Sequence, residues 1–598
     1  MCGFLGKVQN SNFDYDELIS SNKNIICRGP DECIHLKGET SLDFKTNNKA
    51  FYSFVFNRLS ILDLTNKASQ PMYSSHFNTL IMFNGEIYNH KALRSDLEEK
   101  GIIFQSNHSD TEVILNGLSF YGIDYVKQLI GQFSIIFYDL KNQSIFLIRD
   151  RLGQKPLYYH HSSDKLIFSS SLKSISQNEN LREVSDKGLI DYLDYGVVPS
   201  PNTIFKEIFK VEPAEIIEFK VEEKIIQKNK SKYWDISNYE GTQKFKEEKF
   251  FEILDSAVQL RELADVDVAV FSSGGIDSTS IIKNMHDRGS QINSYSVGYK
   301  NNKYDESFWF NQVNNEYKTN STVESLESFE ANQIINQSID IFDEPYSDPS
   351  VVPSYLVSKK ISEDYKVAIS GDGGDELFGA YGRIYQTYYK KFRLSKISTL
   401  NKFYPNFLGT GGNIIKYDKQ IKKAYSSFLS DKNFLSLLNL KSNYTLEKNF
   451  FVESENKFKS LMMSDYKFYL SEMMMLKVDS TSMASSLEVR SPFVDHRLIE
   501  YVLSTSTEHI DSNIPKKLLK TYLKEDFNED FLYRKKMGFV FDIENWVFAN
   551  LELVFKEISY LNELLNVSKI NRLKLYKSRI NSHRLWRLYF LSKYLKSN

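Results

Sequence analysis

The segment 266–298 constrains the fold more than any other part of the chain. A β-branched run, Val266-Asp267-Val268-Ala269-Val270-Phe271, stops at Ser272-Ser273-Gly274-Gly275 and gives way to a helix-like stretch over 276–288. A second strand from Asn293 to Gly298 follows. Strand, glycine turn, helix and strand in close succession form a βαβ unit, whose two strands lie in one parallel sheet with its faces covered.

The first 210 or so residues follow a different rule. Short apolar and β-branched runs dominate, including Leu80-Ile81-Met82-Phe83, Phe133-Ser134-Ile135-Ile136-Phe137-Tyr138 and Ser144-Ile145-Phe146-Leu147-Ile148. The last two flank Asp139-Leu140-Lys141-Asn142-Gln143, which reads as a hairpin loop, so this half is expected to be antiparallel sheet with a few helices, one over 109–121. Between about 213 and 245 the chain turns richly charged (Glu222-Glu223-Lys224, Lys228-Asn229-Lys230), which suits an edge strand and a surface linker. At 598 residues the chain exceeds what one core supports. The expected division is 1–212, a connecting 213–245, and 246–598, with helices over 385–460.

With 75 basic and 77 acidic side chains the net charge is −2, and no overall field favours nucleic acid or an anionic membrane. The local cluster Lys516, Lys517 and Lys520 is of the kind that more often faces solvent than phosphate. The N-terminus lacks the basic start and apolar core of a signal peptide, and no run reaches the ~18 apolar residues of a membrane span. A cytoplasmic protein without nucleic-acid or membrane partners is expected. The cysteines at 2, 27 and 33 form neither a paired CxxC zinc site nor a disulfide framework, and the ten histidines include no His-Glu-x-x-His.

Cys2 becomes the first residue if the initiator Met is removed, and its own α-amine then lies close enough to act as the base that activates the thiol. Asn84-Gly85-Glu86, at a strand end, offers an amide side chain and a glycine N–H suited to an oxyanion. Arg58 suits a bidentate grip on an α-carboxylate, and Asp110 suits an α-ammonium. Each residue alone has an ordinary structural explanation, as a turn or an ion pair. Their order is more specific: Cys2-Gly3, Arg28-Gly29-Pro30-Asp31, Arg58-Leu59-Ser60, Asn84-Gly85-Glu86-Ile87-Tyr88-Asn89, Asp110-Thr111-Glu112 and Arg149-Asp150-Arg151-Leu152-Gly153 resemble the N-terminal-nucleophile (Ntn) glutaminase domain of class II amidotransferases. The resemblance implies a four-layer α/β/β/α Ntn-hydrolase fold, Cys2 as nucleophile, and Arg58, Asn84, Gly85, Glu86 and Asp110 around glutamine. Cys27 stands where this family usually has His, and Ser171 where it commonly has Glu.

In the second half, Ser273-Gly274-Gly275-Ile276-Asp277-Ser278 between a strand and a helix makes an anion cradle: glycines let backbone N–H groups approach phosphate oxygens, and the helix dipole adds to this. It has neither the Lys of a Walker loop nor the spacing of a dinucleotide fingerprint. The strand Lys366-Val367-Ala368-Ile369 ends in Ser370-Gly371-Asp372-Gly373-Gly374-Asp375-Glu376, where Asp375, with Asp277, is placed to hold Mg²⁺ against phosphates. Together with Asp343-Glu344-Pro345-Tyr346-Ser347-Asp348-Pro349-Ser350, Ser486-Leu487-Glu488-Val489-Arg490-Ser491-Pro492-Phe493 and Arg534-Lys535-Lys536-Met537-Gly538-Phe539, these segments resemble the synthetase domain of glutamine-dependent asparagine synthetases. That domain is a PP-loop ATP pyrophosphatase with a Rossmann-like sheet and extra helices.

By that resemblance Ser273, Gly274, Gly275, Asp277, Ser278, Ser370 and Gly371 bind ATP, Val297 and Gly298 lie near adenine, and Lys536 stabilises charge on the phosphates or intermediate. Asp372 stands where the family carries a Glu linked to deprotonating ammonium, and Ser480 where it often has Arg or Lys. The implied partners are glutamine, ATP and a carboxylate acceptor, aspartate first and a uronic acid second, with a homodimer by analogy. A non-catalytic glutamine- or nucleotide-binding regulator ranks below both, because Cys2, Asp277, Asp375 and Lys536 are all present.

Overall fold

The computed structural model describes residues 2–41, 49–299, 306–326, 331–388, 420–510, 514–534, 541–566, 570–571, 573 and 576–597. Twelve strands build the first half among these residues: β1 (Cys2–Gln9), β2 (Glu32–Ser41), β3 (Lys49–Arg58), β4 (Met72–Ser74), β5 (Thr79–Ile87), β6 (Gly131–Asp139), β7 (Ser144–Arg149), β8 (Tyr158–His161), β9 (Lys165–Ser169), β10 (Phe209–Lys210), β11 (Glu215–Val221) and β12 (Ile225–Lys232). They form two six-stranded sheets, ordered β10-β8-β9-β1-β3-β2 and β12-β11-β7-β6-β5-β4.

Alternation along the strands dictates how the sheets stack, since successive side chains point to opposite faces. Phe4 and Val8 of β1, Phe54 and Phe56 of β3, and Leu80 and Met82 of β5 share one buried cluster between the sheets. The residues of opposite parity face outward. Ile81, Phe83 and Ile135 pack against Leu93 and Leu97 of helix His90–Glu99 and Val113 and Ile114 of helix Asp110–Tyr121. Leu5, Val55 and Ile167 pack on the other side with Leu172 and Ile175 of helix Leu172–Asn178. The result is the α/β/β/α order expected. The charged stretch beyond 213 contributes the β11–β12 hairpin, so the second sheet continues to Lys232, with the mostly polar and exposed β12 at its edge.

The second half contains β13 (Val268–Phe271), β14 (Asn293–Tyr299), β15 (Asn320–Leu326), β16 (Val367–Ile369) and β17 (Glu488–Arg490), ordered β15-β14-β13-β16-β17 and parallel throughout. Val270 packs with Ile281, Ile282 and Met285 of helix Ile276–Asp287 on one face. Ala269 and Ala368 pack with Val357 and Ile361 of helix Val351–Ile361 on the other. From β13 the chain goes first to β14 and β15 on one side and then to β16 and β17 on the other. The switch in direction opens a crevice beyond the carboxyl ends of β13 and β16, where open α/β sheets bind ligands. Within 385–460 the described residues include helices Ile421–Leu429 and Lys432–Leu437, while 389–419 lie outside the description.

Candidate active sites

The face that buries Phe4, Phe56 and Met82 between the sheets continues to the sandwich end, where the same parity places Cys2, Arg58, Asn84 and Glu86 side by side. Cys2 pairs with Arg58 across β1 and β3. Its backbone nitrogen donates to Asn84 Oδ1 at 3.0 Å, and the buried Asn84 Nδ2 has no acceptor among the described residues. Gly85 is required at its position, because a Cβ there would meet the Gln132 carbonyl oxygen at 2.0 Å.

Cys2, Arg58 and Gly85 line one cavity with Glu86, Asp110 and Thr111. Arg58 donates from Nη1 to the Thr65 carbonyl at 3.0 Å and from Nη2 to the Asp63 carbonyl, so each nitrogen keeps a second N–H for a carboxylate. Asp110 Oδ2 accepts from the Ile87 N–H at 3.0 Å. Burial pushes the Cys2 thiol above its ordinary value, with the Arg58 charge opposing, so the resting sulfur is protonated and attack requires a base. Burial also raises the Glu86 and Asp110 carboxyls, and for Glu86 the main opposing influence is Arg490.

Arg490 comes from the other half of the chain. Its guanidinium, wholly buried, lies 3.2 Å from Glu86, donates from Nε to Glu488 at 2.6 Å, and donates from Nη1 to the carbonyls of Arg261 and Leu263 at 3.1 and 2.6 Å. Nearby, Asp479 accepts from Arg28 at 2.8 and 3.1 Å and from Lys155 at 3.1 Å. Those cations overcome burial and hold the Asp479 carboxyl below its ordinary value. Ser171 donates to Asp343 at 2.7 Å and caps helix Leu172–Asn178. Cys27 lies exposed, and its carbonyl accepts from the Ser486 hydroxyl at 2.6 Å.

In the second crevice Gly274 has φ +69 and packs so closely that a Cβ would meet Trp309 Cβ and Phe310 N at 2.8 Å. Ser273 and Ser278 hydroxyls lie 3.0 Å apart across the turn, and Arg534 Nη2 donates to the Gly274 carbonyl at 2.8 Å while its guanidinium stacks on Trp309. Gly371 and Gly374 let the β16 loop approach Asp277, whose side chain a Cβ would strike at 2.9 and 2.7 Å. Ser370 donates to Asp372 at 2.9 Å. Val297 and Gly298 lie near the carboxyl end of β14, paired with β15 and beyond the residues that pair with β13.

Asp277 and Asp375 converge on one cation, the ammonium of Lys516, at 2.5 and 2.6 Å. Two carboxylates aimed at one point are the donors a Mg²⁺–phosphate group uses, so the residues fit that ion. Lys516 was expected on a solvated helix face and is instead 8% exposed, because the two carboxylates compensate its burial. It holds a left-handed backbone, φ +55, at the start of helix Lys517–Leu523. Behind them, Glu376 is buried, accepts from Tyr381 at 2.8 Å, and has its carboxyl pushed up to about 7 by burial and by Asp375. Lys536 lies outside the described residues.

A buried thiol beside a buried arginine, joined in one chain to a glycine-lined turn at the carboxyl end of a parallel sheet, agrees with a glutamine amidotransferase fused to an ATP-using ligase, the class the comparisons show. The asparagine synthase family pattern matches residues 249–589 and the glutamine amidotransferase domain pattern matches 1–234. The chain belongs to the asparagine synthase family. Asparagine synthetase [glutamine-hydrolyzing] 1 of Bacillus subtilis is 30% identical over 577 residues, covering 92% of this chain and 88% of that one. Asparagine synthetase [glutamine-hydrolyzing] 3 of the same organism is 27% identical over 565 residues, covering 90% and 86%. A protein of Methanocaldococcus jannaschii is 32% identical over 469 residues, covering 74% and 86%. Among the described residues no helix is long and apolar enough to cross a membrane.

Proposed function

We propose that the protein makes asparagine from aspartate, glutamine and ATP. Cys2 attacks the glutamine amide carbonyl, the tetrahedral oxyanion rests on Asn84 Nδ2 and the Gly85 N–H, and ammonia leaves as a thioester forms. Once Met1 is removed, the α-amine at the position already held to Asn84 is the base for the thiol. Arg58 holds the substrate α-carboxylate, and Asp110 and Glu86 hold its α-ammonium.

At the second site the aspartate side-chain carboxylate attacks the α-phosphorus of ATP, pyrophosphate leaves, and ammonia displaces AMP. Ser273 to Ser278 cradle the phosphates, Ser370 and Gly371 complete the nucleotide site, and Val297 and Gly298 face adenine. Asp277 and Asp375 would hold Mg²⁺, which would neutralise phosphate charge when bound, and Lys516 and Lys536 stabilise charge on the phosphates or the intermediate. Asp372 takes the proton from ammonium. Unprotonated ammonia is scarce in neutral water, so a sheltered route between the sites favours the reaction.

The observation that carries this reading is the shared strand. Arg490 reaches Glu86 in the thiol cavity, and its own carbonyl accepts from the Ser370 N–H at 2.9 Å in the nucleotide loop. A panel of acceptors scored by pyrophosphate release tests it: aspartate is expected to give release well above a blank, and release with a uronic acid but not with aspartate would overturn the assignment.

A further inference from the structure

Two loops wall the thiol cavity. Leu59, Ile61 and Leu62 follow β3 on one side, and Ser109, Asp110 and Thr111 open helix Asp110–Tyr121 on the other. Asp63 ties these loops together. It is wholly buried and holds φ +48, a left-handed backbone that a residue other than glycine keeps only where its surroundings over-determine it. Its Oδ1 accepts from the Thr65 N–H at 3.3 Å and hydroxyl at 2.6 Å, and its Oδ2 accepts from the Asn107 and His108 N–H groups at 3.0 and 3.3 Å. Its carbonyl is one of the two that orient the Arg58 guanidinium, so the direction of that side chain follows the conformation of Asp63.

The Asp63 N–H is held from the other half of the chain. Asp265 lies between helix Glu247–Arg261 and β13, the strand that leads into the Ser273–Ser278 turn. Its Oδ2 accepts from the Asp63 N–H at 2.7 Å and from His108 Nε2 at 2.6 Å, and its own N–H donates to the Ile61 carbonyl at 2.9 Å. One residue thereby grips both cavity loops. On either side of it, Ala264 and Val266 pack against the cluster of Leu59, Ile61, Val367 and Met483.

A carboxylate is a stronger acceptor than a neutral oxygen, and this one is spent on the residue whose strained backbone aims Arg58. Without it the Asp63 N–H has no acceptor, the left-handed turn relaxes, and the carbonyl under Arg58 turns with it. His108, two residues before Asp110, loses its tether in the same step.

We propose, on the reading that Arg58 and Asp110 hold glutamine, that Asp265 is a positioning residue for glutamine binding: a side chain of the nucleotide-binding half fixes both loops of the glutamine pocket. Cys2 and Asn84 stand on β1 and β5 rather than on these loops, so Asp265 acts on binding and leaves the attacking group in place.

Glutaminase kinetics of the full chain, with ammonium-supported pyrophosphate release measured beside them, test the proposal. The Asp265 side chain is 34% exposed, so its truncation opens no core cavity. Asp265→Ala is expected to raise the KM for glutamine roughly ten-fold or more while kcat changes less than about three-fold and ammonium-supported release stays within about two-fold. Asp265→Asn, whose amide oxygen still accepts both bonds, is expected to restore the glutamine KM to within about three-fold of the unsubstituted chain. Arg58→Ala, run in parallel, removes the carboxylate grip itself and is expected to raise the same KM. An unchanged KM in Asp265→Ala beside a raised KM in Arg58→Ala overturns the proposal and leaves the grip standing, whereas an unchanged KM in both overturns the grip and the proposal with it. An ammonium-supported loss equal to the glutamine-supported loss, or an Asp265→Asn variant no better than Asp265→Ala, also overturns it.

Discussion

Replacing Arg490 by Met probes the joint between the two halves, because it strips a buried counter-charge from two buried carboxylates at once. Burial alone would raise the Glu488 carboxyl, yet the N-terminal ammonium, then Arg490 and Lys155, hold it at about 2 against an ordinary 4.5. That difference corresponds to roughly 3 kcal/mol of stabilisation, present above pH 4.5 and lost as pH falls from there through about 2. Glu86 depends on the same guanidinium at 3.2 Å. Leaving buried charge unpaired in this way costs about 3–5 kcal/mol.

In the variant the Glu488 carboxyl loses part of what holds it low and the Glu86 carboxyl, already raised, rises further, so the stability lost relative to the unsubstituted chain grows as pH climbs. The deficit against the unsubstituted chain is therefore larger at pH 7.5 than at pH 5.5. Urea unfolding at the two pH values measures it. A loss under about 1 kcal/mol, or one that does not shrink on acidification, would refute the reasoning, since both follow from buried charge rather than from lost packing.

Lys516→Met is expected to abolish pyrophosphate release with glutamine hydrolysis largely kept, because Lys516 touches the second site alone; equal loss of both activities would contradict that placement. Glu376, raised to about 7, contributes stability that is complete below pH 4.5 and declines as pH rises through 7. Glu376→Gln should flatten the pH dependence of stability over that window, measured by thermal unfolding in a pH series, and an unchanged slope would rule out this titration.

What the sequence could show follows from the range of each interaction. The Cys2 cavity was legible because strand parity, a local property, places Cys2, Arg58, Asn84 and Glu86 on one face once their strands pair. The nucleotide crevice was legible because glycine turns after β13 and β16 are local signals with a steric cause. Lys516 was not, because its role depends on Asp277, 239 residues away, and on a left-handed residue where no glycine marks the turn. Arg490 and Asp479 appear in sequence as ordinary helix and strand charges; their meaning lies in contacts with Glu86, Arg28 and Lys155 that only the docking of the two halves creates.

The central claim is that Cys2 supplies ammonia to a separate, intact ligase site. Cys2→Ala, assayed for amide formation with glutamine and then with ammonium chloride as nitrogen source, tests it most directly. Glutamine-supported turnover should vanish while ammonia-supported turnover stays within about two-fold of the unsubstituted chain, since the altered side chain lies outside the nucleotide crevice. Equal loss of both would contradict the two-site account.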